Sequence, residues 1–115
     1  MKRLLLVIPM LMLLGATKAP TAGYAGDDYW FCKSVGHTED TKIVALSEIF
    51  VSDSEYSELE AAFYDAVHDQ IAGYEELIPS RCMDYESRGL AEKHRKRQEH
   101  MARDSGYTVE EIDFP

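Results

Sequence analysis

Positive charge is scarce in this chain. Twelve Lys and Arg stand against 21 Asp and Glu, a formal net charge of −9. Nucleic-acid binding rests on clustered Lys and Arg that neutralise phosphates, so nucleic acid is not an expected partner. Cysteine is scarcer still, with two residues at positions 32 and 82. They lack C-x-x-C spacing and have no paired histidines nearby, which argues against a redox motif and against zinc. Long apolar runs are absent beyond one of 11 residues, Leu4 to Leu14, too short to span about 30 Å of hydrocarbon. Length excludes a multidomain enzyme, since 115 residues make one domain. An apolar content of 45% excludes wholesale disorder.

Catalytic signatures are missing too. There is no H-E-x-x-H, no G-x-S-x-G elbow and no phosphate-binding glycine loop. His94 and His100 lie about 240° apart around a helix and diverge. A copper site from His94 and Met101 would lack the repeated soft ligands such sites need. The paired carboxylates Glu75-Glu76 and Glu110-Glu111 look exposed, whereas a general acid needs a buried setting. No metal, no cofactor and no catalytic residue is expected.

What is present begins with an address. Lys2 and Arg3 precede the apolar run, and the small residues of GATKAPTAGYA follow it. That order is the pattern of a secretory signal peptide over residues 1–25. Cleavage after Ala25, with Gly23 at −3, fits best; Ala22 is the alternative site, and an uncleaved anchor the alternative reading. The remaining residues, 26–115, are expected to form a single domain that does not insert stably into a membrane. They hold 9 Lys and Arg against 21 Asp and Glu, a net charge of −12. In an exported domain of this size, Cys32 and Cys82 are expected to form one disulfide. The destination is periplasmic or secreted.

Along this domain, residues 29–35 (YWFCKSV) are β-prone and stop at Gly36. Residues 42–51 (KIVALSEIFV) follow a polar loop, so the pair reads as a hairpin, with a helix over 42–51 as the competing assignment. Over 55–72, Tyr56, Leu59, Phe63, Val67 and Ile71 recur at helical steps. Ser52 with Glu55 offers a capping box, and Gly73 a stop. Residues 74–81 read as a loop around Pro79, and CMDYE as a strand tied to the first through the disulfide. A second helix covers 88–104, with a thin stripe of Leu90, His94, Met101 and Ala102. Glu92–Lys96 and Glu99–Arg103 are its i,i+4 pairs. A strand over 107–114 closes the chain, with a parity break between Val109 and Ile112 that suggests a bulge. The expected fold is α+β, in the order β-β-α-β-α-β: a small four-stranded sheet with two helices packed on one face.

Charge is unevenly spread. Residues 88–103 carry a net +4, leaving −16 for the rest of the domain. Arg95, Lys96 and Arg97 form a candidate basic patch, against the plainer reading of a helix that neutralises its own acidic neighbours. Tyr64 and Tyr74, with Asp65 and Asp69, form a candidate partner-binding set if the tyrosines stand outside the core. An acidic surface with exposed tyrosines suits a cationic protein of the envelope or secreted space.

The sequence YWFC, then SEIF, EAAFYDAV, Cys82 and a closing G-Y-T-V resembles a scattered group of short exported proteins of Gram-negative bacteria. No activity is attached to that group; the resemblance implies compartment and disulfide. The expected function is non-catalytic binding, in the manner of an inhibitor or immunity protein. A small envelope hydrolase and a cell-wall or glycan-binding module are the alternatives.

Overall fold

The structure, a computed structural model, describes residues 28–115. The leader expected over residues 1–25 lies outside them. The elements are β1 (Asp28–His37), β2 (Lys42–Ser47), β3 (Phe50–Ser52), α1 (Tyr56–Gln70), β4 (Glu75–Tyr85), α2 (Arg88–Asp104) and β5 (Thr108–Ile112). The α+β class and the Cys32–Cys82 disulfide are as expected, and so is the element order except that the strand expected over 42–51 divides into β2 and β3.

β1 is the central strand. β4 runs antiparallel along one side of it, from Tyr29↔Tyr85 to His37↔Glu75. On its other side, β2 pairs with Lys33–His37 and β3 with Asp28–Trp30, both antiparallel. β5 joins beyond β2 in parallel. β2 and β3 therefore share one lane, interrupted at Glu48 and Ile49, and five strands fill four lanes. The interruption would strand backbone groups, and side chains repair it. The Cys32 amide donates to Ser47 Oγ at 2.9 Å, and that hydroxyl donates to the Glu48 carbonyl at 2.9 Å.

The helices do not share a face. Trp30, Cys32, Ile43, Ala45 and Ile112 pack with Leu59, Phe63 and Val67 of α1. The alternate strand residues Phe31, Val35, Val44 and Leu46 pack with Ala102 of α2. Neighbouring strand residues point to opposite faces, so the sheet is a middle layer between two helices. The reason lies in the direction of travel. β3, β4 and β5 are all antiparallel to β1; α1 carries the chain from one side of β1 to the other, and α2 carries it back. Two crossovers of the same hand that travel in opposite directions fall on opposite faces.

This also removes the expected bulge in β5. Val109 packs with the α2 layer and Ile112 with the α1 layer, in an unshifted register against β2. An odd step between apolar residues is what a strand buried on both faces requires.

β4 corrects the loop expected over 74–81: Pro79 sits inside it. Among the described residues β4 pairs only with β1, and Pro79 falls at a register shift, where Ser34 faces both Pro79 and Ser80. An edge strand with a bulge tolerates the missing amide. Along the outer side of β4, the Ser80 amide donates to the Glu76 carboxylate at 2.9 Å and the Cys82 amide to Glu60 of α1 at 3.0 Å.

In α1, Leu59, Phe63 and Val67 form the buried stripe. Tyr56 stays exposed, edge-on against Trp30, and Ile71 is the C-cap residue. The Ser52–Glu55 capping box does not form, because Glu55 itself is the N-cap and Ser52 still belongs to β3. Ser52 Oγ accepts from the Ser54 amide instead.

α2 buries Ala91 and Ala102 rather than Leu90 and Met101, which are exposed. His94 stacks on Tyr85, 4.8 Å between ring centres. Its ends are well capped. Ser87 Oγ accepts from the Leu90 amide at 3.2 Å. At the other end Gly106, at φ 84°, donates to Arg103, and Tyr107 donates to Ala102, the two bonds of a Schellman motif. Ser87→Ala is expected to cost about 1 kcal/mol, read as a lower midpoint in urea unfolding, whereas Ser105→Ala leaves it unchanged.

Candidate functional site

The charged residues of α1 are Glu58, Glu60, Asp65 and Asp69, with no Lys or Arg among them. Glu58, Asp65 and Asp69 are exposed, as is Tyr64 at 44%. The Tyr64 ring is braced from below. His68 lies one turn on, with its ring centre 4.1 Å away and Nδ1 2.8 Å from the Tyr64 carbonyl. His68 in turn meets Tyr74 edge-on at 5.3 Å.

Tyr74 is not a surface anchor. It is 5% exposed and belongs to the α1-side core. Its hydroxyl pairs with Ser34 Oγ at 2.6 Å, and Ser34 donates to Glu76 at 3.3 Å. The same Glu76 oxygen accepts the Ser80 hydroxyl at 2.6 Å. Burial raises the Tyr74 pKa, the Glu76 carboxylate adds to the rise, and the Ser34 bond opposes it. Two serines, a tyrosine and a carboxylate so placed could suggest hydrolysis. Ser34 is buried, and the bonds of the cluster clamp the bulge of β4. A loop over 74–81 around Pro79 hides this cluster, because without the strand nothing aligns Glu76 with Ser80 and Ser34.

The basic residues of α2 divide. Arg95 is an internal tie: its Nε donates to the Ser47 carbonyl at 2.6 Å, and Nη2 pairs with Glu111 at 3.0 Å. Glu99 lies 3.8 Å from Arg95 and 3.0 Å from Arg103. Arg95 is therefore used up in closing the interrupted lane. Lys96 and Arg97 remain exposed. Farther along, the Lys33 ammonium donates to Gln98 Oε1 at 2.6 Å, and burial, with Arg81 nearby, pulls its pKa down.

Beside Arg95 runs a groove of about 440 Å³ lined by Glu48, Ile49, Arg88, Glu92, Arg95, Lys96, Glu99 and Glu111. Residues 88, 92, 95, 96 and 99 fall on one side of α2 by their three- and four-residue steps. That spacing is visible in the sequence, but as ion pairs along the helix rather than as a wall. Among the described residues, the groove lining contains no histidine and no aromatic ring. Among the described residues, no three His, Cys, Asp or Glu side chains gather to hold a metal ion. No described helix is long and apolar enough to cross a membrane.

The structure thus separates the calculated charge imbalance into two sides of one sheet: an all-acidic helix on one, a mixed but basic helix on the other. Compared with known proteins, the chain matches no family model, no curated protein and no solved structure.

Proposed function

We propose that this is an exported, non-catalytic binding protein whose acidic α1 face receives a cationic protein of the envelope or secreted space, in the manner of an inhibitor or immunity protein. One observation carries the reading. The outer face of α1 offers Glu58, Asp65 and Asp69 on one side and the exposed, braced Tyr64 on its flank, with no basic side chain on the helix except His68. Fixed charge of one sign speeds encounter with the opposite sign, and a tyrosine held in place supplies contact area at small entropy loss. The disulfide supports an oxidising compartment. The likeness to short exported Gram-negative proteins points the same way.

Among the described residues, the lining of this groove does not supply what the two alternatives need. A hydrolase would bring a histidine or a buried carboxylate to its cleft, and a glycan site would offer an aromatic platform. Neither lines this groove.

The test is recovery of a partner from envelope extract at low salt, followed by kinetics with the purified pair. Association is expected to fall at high salt, and Asp65→Lys with Asp69→Lys to slow the on-rate about tenfold or more. Recovery of nothing at either salt, or unchanged kinetics in the double variant, rules the proposal out.

A further inference from the structure

We infer that the groove between α2 and the interrupted β2–β3 lane is a binding site for a small zwitterion, such as a short peptide with both ends charged. The inference is independent of the α1 face. A volume of about 440 Å³ is in the range that holds small molecules. Its floor is Ile49 beside Glu48, the two residues that break the lane. Keeping that lane broken takes Ser47 Oγ on one side and the Arg95 guanidinium on the other. Irregular strand pairing of this kind gathers beside functional sites, where it re-aims side chains.

The charges of the lining form two sets. The inner set is satisfied within itself: Arg95 holds Glu111, Glu99 and the Ser47 carbonyl, and builds the wall. The outer set is Arg88 and Lys96 with Glu48 and Glu92, all exposed. None of these four joins an ion pair among the described residues, although Glu92 and Lys96 stand at i,i+4 spacing. The Arg88 guanidinium lies over the Tyr29 ring, 5.5 Å from its centre, a contact that leaves its N–H edge open to an anion.

The groove therefore offers both signs at once. A ligand that is only anionic meets the carboxylates Glu48, Glu92, Glu99 and Glu111; one that is only cationic meets Arg88, Arg95 and Lys96. A ligand carrying a carboxylate and an ammonium satisfies both, the carboxylate on Lys96 and the ammonium on Glu92 and Glu48, with Arg88 about 12 Å farther along α2 adding positive field at the far end. Because these side chains are hydrated, binding is weak and salt-sensitive.

The test is a titration of the isotope-labelled, disulfide-bonded protein by nuclear magnetic resonance, with alanyl-alanine as the probe and its N-acetylated, C-amidated form as control. Saturable shifts at Ile49, Glu92 and Lys96 are expected with the free dipeptide and not with the blocked one. Glu92→Gln and Lys96→Gln are each expected to weaken binding about threefold, the worth of one exposed ion pair. Their spectra report directly whether they remain folded. Absence of saturable shifts, equal shifts from the blocked dipeptide, or unchanged affinity in both variants overturns the inference.

Discussion

Replacing Cys32 and Cys82 together by alanine is expected to lower the unfolding free energy by about 4 kcal/mol. The bridge spans a sequence separation of 50 and joins β1 to β4 where Cys32 and Cys82 face each other in the ladder. At that pair the strands exchange no backbone bonds, since the Cys32 amide turns to Ser47 and the Cys82 amide to Glu60. The sulfurs thus join the strands where the ladder itself does not. A domain of this size has about 5–15 kcal/mol in all, so the loss leaves it close to unfolding. Both cysteines are nearly inaccessible, at 0% and 2% exposure. Alanine therefore also removes packing, and the wild type in reductant, which keeps the sulfur volume, separates the two effects. Urea unfolding of both samples is the measurement. A midpoint in reductant equal to that of the oxidised protein would sink the argument.

Gly36→Ala is expected to cost about 3 kcal/mol, as overpacking in a rigid setting does. Gly36 pairs with Glu76 across the β1–β4 ladder. A methyl built there overlaps the Glu75 carbonyl and lies 2.6 Å from the Tyr74 hydroxyl. A side chain can swing away, but the carbonyl belongs to the backbone of β4 and yields only if the strand moves. Tyr74→Phe should therefore fail to rescue the variant. Gly89, in the first turn of α2, makes the contrast, with nothing within 4 Å of a methyl there. Gly89→Ala is expected to be neutral or slightly stabilising. Equal unfolding midpoints for the two variants would show that the space around Gly36 is not limiting.

Local order can be read from the residues alone wherever a single pattern dominates. Leu59, Phe63 and Val67 recur at a period that only a helix satisfies, and two cysteines in a small acidic domain have few other uses. The layer arrangement is harder, because it depends on which side of β1 each crossover starts from. Traces of it are nevertheless present. Trp30-Phe31-Cys32 and Ile43-Val44-Ala45-Leu46 are continuous apolar runs, as strands covered on both faces show, and the Val109–Ile112 step says the same. Pro79 misleads because its effect on a strand depends on whether that strand is an edge. Tyr74 and Tyr64 look alike in sequence, and only the approach of Gly36 and Ser34 draws one of them into the core. Arg95 reads as one of a row of surface charges, and its bond to the Ser47 carbonyl requires the broken lane beneath it.

The carboxylates of Glu76 and Glu60 set what the edge of β4 offers to another strand. An exposed strand edge is a template for another strand, and its capacity to recruit one rests on free outward amides. On β4 the Ser80 and Cys82 amides are already held by those two anions. An incoming strand must expel a charged acceptor before each of these ladder bonds can form, and it carries the same negative excess toward the edge. Strand addition along this stretch of β4 is thereby obstructed beside the disulfide, so of the two edges of the sheet it is β4 that resists a new neighbour here.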